Sequence, residues 1–278
     1  MRIDAHHHVW DLNVRDQPWT AGLPALRRSF TIDELRPSLQ RHGIDGTVVV
    51  QTVCVGDETP ELLALAASDP AIAGVVGWVD LTAPDVTEAL AELRASPGGE
   101  LLVGMRHQAQ EEADPWYLAR PDVRRGLRAV AAAGLVYDLL VRSHQLLAAV
   151  DAVRSLPELQ FVLDHAGKPD VSEPPAREWV AALSDLGELG NVTVKMSGMT
   201  SEAPPDWTPQ MLQPFVDALL TSVGPGRLMF GSDWPVCLLG GGYDATFAAT
   251  EAVTSQLSAP ERDLLFGGVA AGVYGLAV

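Results

Sequence analysis

Short apolar runs rich in β-branched residues recur along the whole chain and alternate with stretches of helical periodicity. Nearly continuous apolar runs are typical of parallel strands that are covered on both faces of the sheet. The stretches between them have the apolar spacing of amphipathic helices. We count eight such runs, at residues 2–9, 46–53, 73–81, 101–108, 135–141, 159–167, 191–198 and 227–235.

Several of the helical stretches have recognisable ends. Thr31 is followed three residues later by Glu34, which is the spacing of a capping box, and Gly43 stands where that helix is expected to stop. Ser258 and Glu261 repeat the capping-box spacing ahead of a last short helix. The strand and helix signals therefore alternate from one end of the chain to the other.

Eight strands that alternate with helices, in about 250 residues or slightly more, predict an α/β fold of the (β/α)₈ or TIM-barrel type. A doubly wound open sheet is the alternative. It would more often have a glycine-rich phosphate loop after the first strand, where this chain has AHHHVW. No linker or repeat interrupts the pattern, so we expect one domain over residues 1–278.

Composition excludes several classes of partner. The 278 residues carry a formal net charge of −17, which argues against binding to nucleic acid or to an anionic membrane surface. The apolar runs are too short to span a bilayer, and the N-terminus lacks the apolar region of a signal peptide. Two cysteines do not make a disulfide framework. We expect a cytoplasmic protein, monomeric or homodimeric, that acts on a small molecule.

Polar residues stand at the ends of six of the predicted strands. Because the carboxyl ends of barrel strands meet at one face, these residues are expected to share one mouth, as catalytic groups do in barrel enzymes. They are His6 and His8, Arg106 and His107, Arg142 and His144, Asp164 and His165, Lys195 and Ser197, and Ser232 and Asp233.

The H-x-H spacing of the first strand predicts a metal site. Side chains alternate along a strand, so His6 and His8 are expected to face the same way and His7 the other way. Two imidazoles on one strand end could hold a divalent ion, with a third ligand from His165 or Asp233 across the barrel. The alternative is a pair of hydrogen-bonded core histidines.

Asp233 and His165 are the candidate catalytic residues. Asp233 follows an apolar strand in FGSDWPV, and a carboxylate at the barrel mouth could take a proton from water. The alternative for Asp233 is a turn residue that bonds its own backbone. His165 in LDHAGKP could equally begin a loop.

Four further residues are candidates for substrate binding. Arg106 offers a planar fork for a carboxylate or carbonyl, although it could instead be an ion-pair partner. Lys195 alternates with apolar neighbours, which suits either an inward-pointing amine or a salt bridge inside the barrel. His144 stands near the end of the fifth strand, and Trp234 could form a wall of the pocket or belong to the core.

Four segments together resemble the amidohydrolase superfamily, in the amidohydrolase-2 branch: IDAHHHVWD, DHAGKPD, VKMSGM and FGSDWPV. That branch includes sugar-acid lactonases, such as fuconolactone and rhamnonolactone hydrolases, and pyrone-dicarboxylate lactonase. The resemblance implies a (β/α)₈ barrel that hydrolyses a cyclic ester. His6 and His8 match the first-strand histidine pair, His165 the H-x-G-K-P motif and Asp233 the eighth-strand aspartate. Arg106 matches a basic substrate-binding position.

The resemblance also bears on the metal and on rival functions. Dinuclear superfamily members carry a carboxylated lysine on the fourth strand, which here reads VGMRHQ, so at most one divalent ion is implied. In this branch some members use a single zinc and others no metal, and both possibilities stay open. The function implied is a lactonase with Asp233 as general base. The alternatives are a decarboxylase of an aromatic or enol acid and a barrel that binds a sugar acid without chemistry.

Overall fold

Eight parallel strands form one sheet in which each strand pairs with the next along the chain. A computed structural model describes residues 1–277. Every predicted apolar run overlaps one strand, which confirms the predicted number and order. The strands are β1 (Ile3–His7), β2 (Gly46–Val50), β3 (Ile72–Gly77), β4 (Leu102–His107), β5 (Val136–Leu139), β6 (Phe161–Leu163), β7 (Val192–Met196) and β8 (Leu228–Phe230).

Helices follow the strands and cover the outside of the sheet. Large buried side chains such as Leu63, Leu127, Trp179 and Phe215 pack between the helices and the strands. The helices are α1 (Ile32–His42), α2 (Glu58–Ser68), α3 (Val86–Ala95), α4 (Pro121–Ala132), α5 (Leu146–Ser155), α6 (Arg177–Gly187), α7 (Pro209–Ser222), α8 (Tyr243–Val253), α9 (Ala259–Asp263) and α10 (Val269–Tyr274).

The segment that follows β8 closes the sheet against β1. The backbone N–H of His8 donates to the carbonyl of Trp234 at 2.6 Å, and that of Asp233 donates to the carbonyl of His6 at 2.8 Å. These bonds bring the first and last strands together at their carboxyl ends. The predicted (β/α)₈ barrel is confirmed, and the closure itself sets Asp233 beside the first-strand histidines.

Small apolar side chains fill the amino-terminal part of the barrel interior, and α10 packs against them. Because this part of the interior is apolar, the polar side chains of the strands are concentrated towards the carboxyl ends. The apolar cluster contains Ile3, Ala5, Val48, Val50, Val76, Val136, Val162 and Met229 from the strands, with Val269, Ala270 and Tyr274 from the C-terminal region.

The helix ends agree with two of the three predicted caps. Gly43 ends α1 in the left-handed region with φ 62°, and Ser258 forms a capping box with Glu261. The capping box predicted at Thr31 is wrong, because the Thr31 side chain makes no capping bond. Glu34 instead accepts a hydrogen bond from the Arg28 guanidinium at 2.7 Å, and this ion pair draws its carboxylate away from the helix end.

Two compositional expectations can be compared with the structure. None of the helices within residues 1–277 is both long enough and apolar enough to cross a membrane. Cys54 and Cys237 are free thiols. The cytoplasmic location and the single domain over residues 1–278 stay predictions.

Two buried tyrosines allow a test of one polar contact inside the barrel, the one between Tyr274 and Asp138. The Tyr274 hydroxyl donates to Asp138 Oδ1 at 2.8 Å and lies 2.9 Å from Oδ2, whereas the Tyr137 hydroxyl has no hydrogen-bond partner among the described residues. We expect Tyr274→Phe to lower the free energy of unfolding by about 1.5–3 kcal/mol at pH 8, since it removes a donor to a buried charge. Tyr137→Phe, the matched control, should have little effect. Urea denaturation measures both, and equal losses would contradict the assignment.

Candidate active site

The first strand separates its three histidines as predicted. His6 Nε2 lies 3.2 Å from His8 Nε2, while His7 Nε2 lies 3.0 Å from the hydroxyl of Thr47 on β2. Thr47 gives its own proton to the carbonyl of Ala71, so it accepts from His7. Burial lowers the pKa of His7 to about 3. The pairing of β1 with β2 shifts register between Asp4 and His7, which brings His6 into the barrel interior although it follows the inward-facing Ala5.

His165 and Asp233 both lie on strained backbone, two residues after β6 and three residues after β8 respectively. Their φ angles are 53° and 56°, in the left-handed region that side chains rarely adopt. Gly198, at φ 71°, packs closely on His165. A Cβ atom added to residue 198 would lie 2.8 Å from Nδ1 of His165. Ser197 Oγ lies 2.8 Å from the same nitrogen. Strain of this kind is concentrated at functional sites, where it fixes the direction of a side chain.

His6, His8 and His165 surround the Asp233 carboxylate, although the four residues come from three parts of the chain. Asp233 Oδ1 lies 3.4 Å from His8 Nε2 and 3.7 Å from His6 Nε2, and Oδ2 lies 3.9 Å from His165 Nδ1. All four side chains are buried. The arrangement matches the prediction of one mouth shared by residues that are distant in sequence.

Burial and charge set opposite preferences in this cluster. Burial lowers the pKa of His6, and it lowers the pKa of His165 to about 4, so both rings favour the neutral form. Burial alone would raise the pKa of Asp233, but attraction to the surrounding imidazoles, which acts when these rings are protonated in acid, outweighs burial and lowers that pKa. Near neutral pH, Asp233 is therefore an ionised carboxylate among imidazoles.

Fixed acceptors determine which ring nitrogens carry protons. His8 Nδ1 donates to the carbonyl of Val50 at 2.7 Å. His6 Nδ1 lies 3.3 Å from Asp164 Oδ1, and the Arg106 Nη1 group points to His6 Nε2 at 3.3 Å. His8 Nε2 therefore presents a lone pair towards Asp233, and His6 Nε2 uses its lone pair to accept from Arg106. Two lone pairs and a carboxylate this close together form an electron-rich site.

This donor set fits one divalent cation. Ligand atoms of His6, His165 and Asp233 lie within 4.8 Å of one another, and His8 Nε2 is in hydrogen-bonding range of His6. Imidazole nitrogen and carboxylate oxygen are ligands that zinc accepts. A metal-binding histidine commonly donates its other ring N–H to a carboxylate or a backbone carbonyl, as His8 does here to the Val50 carbonyl.

Two cations and two carboxylates lie directly beneath the histidines. The Lys195 ammonium bonds Asp138 and lies 3.0 Å from Asp164 Oδ1 and 3.1 Å from His6 Nδ1. Its side chain is 0 % exposed, and binding of substrate by Lys195 stays a prediction. Of the two alternatives for Lys195, the structure has the salt bridge inside the barrel.

Arg106 does reach the pocket, and its guanidinium is already held in place. It donates to Gln51 Oε1 at 2.9 Å and to Asp164 Oδ2 at 2.9 Å, while its side chain lines the same pocket as Asp233 and His165. Contact with a substrate stays a prediction for this residue. Its orientation is fixed by the protein alone.

His144 and Trp234 do not join the cluster. His144 is exposed on the turn Ser143–Gln145 and lines a separate outer groove, because Gln145 is the residue of that turn that points inward. The Trp234 ring is buried edge-on against Phe30, with centroids 5.5 Å apart. Only its backbone serves the site, because the turn that directs Asp233 inward sends the next side chain into the core.

A family model described as amidohydrolase matches residues 3–276, nearly the whole chain. The chain belongs to the amidohydrolase family. This agrees with the resemblance carried by the four sequence motifs.

Relatives of this amidohydrolase cover its full length. An L-fucono-1,5-lactonase from Burkholderia multivorans is 41% identical, over 99% of this chain and 96% of the relative. A second L-fucono-1,5-lactonase, from Burkholderia ambifaria, is 36% identical over 98% of this chain and 95% of the relative. The crystal structure of an amidohydrolase from Burkholderia multivorans with bound zinc has a TM-score of 0.94 and 40% identity, and covers 100% of both chains.

Sequence reasoning missed three buried residues that support the site of this amidohydrolase. Asp4 accepts the backbone N–H groups of Ser232 at 2.8 Å and His6 at 3.2 Å, and burial raises its pKa to about 6. Asp138 pairs with Lys195, and Gln51 holds Arg106. The available signal was a lone charge inside an apolar run, as in VYDLL for Asp138.

The low pKa of His7 predicts how the stability of the protein depends on pH. The pKa of His7 is about 3 in the folded protein and about 6.5 in an unfolded chain, so the unfolded state binds the extra proton between these values. Its contribution to stability is full above pH 6.5 and is lost as the pH falls. We expect the stability of the wild type relative to His7→Asn to fall by about 2 kcal/mol between pH 7.5 and 5. Urea denaturation with chelator present measures it, and a pH-independent difference would rule it out.

Proposed function

We propose that this protein is a lactonase that opens a sugar-acid lactone by hydrolysis. The observation that carries the proposal is the position of the Asp233 carboxyl group, buried among His6, His8 and His165 at the carboxyl end of the barrel. Relatives at 41% and 36% identity over nearly the whole chain support this substrate class. L-fucono-1,5-lactone is the first substrate to test.

In the mechanism we propose, Asp233 accepts a proton from the water that attacks the lactone carbonyl. A bond forms between the water oxygen and the carbonyl carbon, and the bond from that carbon to the ring oxygen then breaks. Asp233 returns the proton to the ring oxygen, which becomes a hydroxyl group. The new carboxylic acid loses its own proton at neutral pH, so each turnover releases one proton to the solvent.

In the metal-free form of this proposal, the Arg106 cation stabilises negative charge on the carbonyl oxygen. Gln51 and Asp164 hold the guanidinium before any substrate binds, so little reorganisation is needed when the oxyanion forms. Removal of one such preorganised donor costs on the order of 3 kcal/mol in the barrier of other hydrolases. His165, held by Ser197, offers a further polar contact from the other side of Asp233.

A divalent ion, such as the zinc bound by the Burkholderia multivorans amidohydrolase, would polarise the carbonyl and lower the pKa of a water. His6, His8 and Asp233 would hold it, with His165 adjacent. The Nδ1 contacts to Val50 and Asp164 orient both rings for that task. Reaction without a metal, through the chain's own groups, is the other form of the proposal.

Asp233→Asn tests the proposed base. We expect kcat/KM for the best lactone to fall by about 100-fold or more, which is the contribution of a positioned general base. The matched control is Asp217→Asn, an exposed position on α7, which should keep full activity. Proton release in weakly buffered solution measures the rate, and near-wild-type thermal unfolding shows that the fold is intact. An undiminished rate for Asp233→Asn would refute the assignment.

A panel of sugar lactones, run with and without chelator, tests the reaction and the metal together. We expect acid release from one or more lactones. Loss of rate in chelator with recovery on adding zinc would assign the metal a catalytic part, and an unchanged rate would leave catalysis to the protein groups. Release of carbon dioxide from aromatic or enol acids without lactone hydrolysis would favour the decarboxylase alternative. Tight binding of an unaltered lactone would favour the non-catalytic one.

A further inference from the structure

One buried side-chain oxygen beside the pocket has no hydrogen-bond partner among residues 1–277. Gln110 belongs to the turn Ala109–Glu111, which follows β4, and it lines the pocket that contains Asp233, His165 and Arg106. Its Oε1 atom is buried and accepts no hydrogen bond from any of residues 1–277. A buried carbonyl oxygen without a donor costs free energy that a ligand can recover.

The other glutamines near the barrel mouth differ from Gln110 in this respect. Each of them makes hydrogen bonds within the protein through its side-chain amide. Gln17 bonds Thr52 and Trp19, Gln51 bonds Arg106, Gln108 bonds the Thr52 carbonyl, and Gln145 bonds the Ala109 carbonyl and the Arg142 N–H. The free acceptor of Gln110 is therefore a feature of one position and not of glutamine in this region.

The backbone around Gln110 is held on both sides. The Gln110 N–H donates to the carbonyl of Leu140 at 3.0 Å, and the preceding Ala109 carbonyl accepts from Gln145 Nε2 at 2.8 Å. The Gln108 side chain donates to the Thr52 carbonyl at 2.9 Å. These bonds fix the turn against the strands before and after it, so Gln110 is held at the pocket by a rigid support.

The remaining polar groups of the pocket are largely committed to other contacts. Lys168 Nζ pairs with Glu202 at 2.9 Å, and the Thr52 oxygens already bond Gln17, Glu58 and Gln108. A ligand that enters must bring a hydrogen-bond donor if the Gln110 oxygen is to be satisfied. A sugar lactone carries such donors, because each ring hydroxyl can donate one hydrogen bond.

We propose that Gln110 is a specificity-determining residue that accepts a hydrogen bond from one hydroxyl group of the substrate. This inference rests on the proposed lactonase function. A site built to bond a hydroxyl rejects the analogue that lacks it, because the buried acceptor is then left unpaired. The pocket is thus expected to select its lactone at one particular hydroxyl position.

The test compares the best lactone of the panel with its mono-deoxy analogues, each lacking one hydroxyl. We expect one analogue to lose about 10- to 100-fold in kcat/KM with the wild type. Gln110→Met keeps the length of the side chain but removes the acceptor. With this variant, kcat/KM for the best lactone and for that analogue should differ by less than about threefold. The kcat/KM ratios between the best lactone and the other analogues should be unchanged. Gln40→Met, at an exposed position of α1, is the matched control and should leave every ratio unaltered.

Gln110→Asn provides a second variant in case the methionine disturbs the fold. It shortens the side chain by one methylene group and so withdraws the acceptor from the substrate. Discrimination between the best lactone and the same deoxy analogue should then be lost as well. An equal loss for all lactones, or discrimination that persists in both variants, would overturn the inference while leaving the lactonase function standing. Absence of lactone hydrolysis by the wild type would overturn the proposed function and this inference with it.

Discussion

The site depends on a group of opposite charges that is closed off from water inside the barrel. Lys195 lies between Asp138 and Asp164, and Arg106 holds the other oxygen of Asp164. An unpaired charge at this depth would be costly, and removal of one partner from such a group typically destabilises by about 3–5 kcal/mol. Because two cations here match two carboxylates, the group is neutral as a whole and forms a fixed platform beneath the histidines.

Asp233 adds a negative charge above this balanced platform. Asp164 connects the buried ion pairs to the histidines, since it pairs with Lys195 and Arg106 and also lies 3.3 Å from His6 Nδ1. The Val50 carbonyl orients His8 in the same way. The His8 Nε2 lone pair is thereby directed towards Asp233, and the strained backbone at Asp233 keeps its carboxylate in place. An electron-rich mouth follows, suited to taking up a proton from water or to holding a cation.

The strand pattern predicted the barrel, the order of its strands and the meeting of His6, His8, His165 and Asp233. These predictions rest on local signals, namely apolar runs and the polar residue that follows each run. The partners of Lys195 and Asp164 could not be predicted, because they depend on which side chains lie level across the barrel and on the register shift in β1. His144 lies outside the cluster for a related reason: five residues beyond β5, the chain has already turned outward. The Trp234 ring lies outside the cluster because a left-handed residue precedes it, and sequence does not reveal that conformation for aspartate.

Gln110 illustrates a further limit of sequence reasoning. Nothing in the segment HQAQE separates Gln108, which is bonded to the protein, from Gln110, whose oxygen is unpaired. The difference arises only when the turn is anchored to Leu140 and the Ala109 carbonyl to Gln145. Hydrogen-bond satisfaction is a property of the folded barrel, and it is there that the selective features of the pocket become visible.

The central claim is that His6 and His8 both keep an unprotonated Nε2 atom beside Asp233. Nitrogen-15 NMR of metal-free protein labelled at histidine, assigned with His6→Asn and His8→Asn, tests it directly. The account predicts Nδ1-protonated rings for both residues at pH 7.5, with the Nε2 resonances moving when zinc is added. Protonated Nε2 atoms that do not respond to zinc would contradict it.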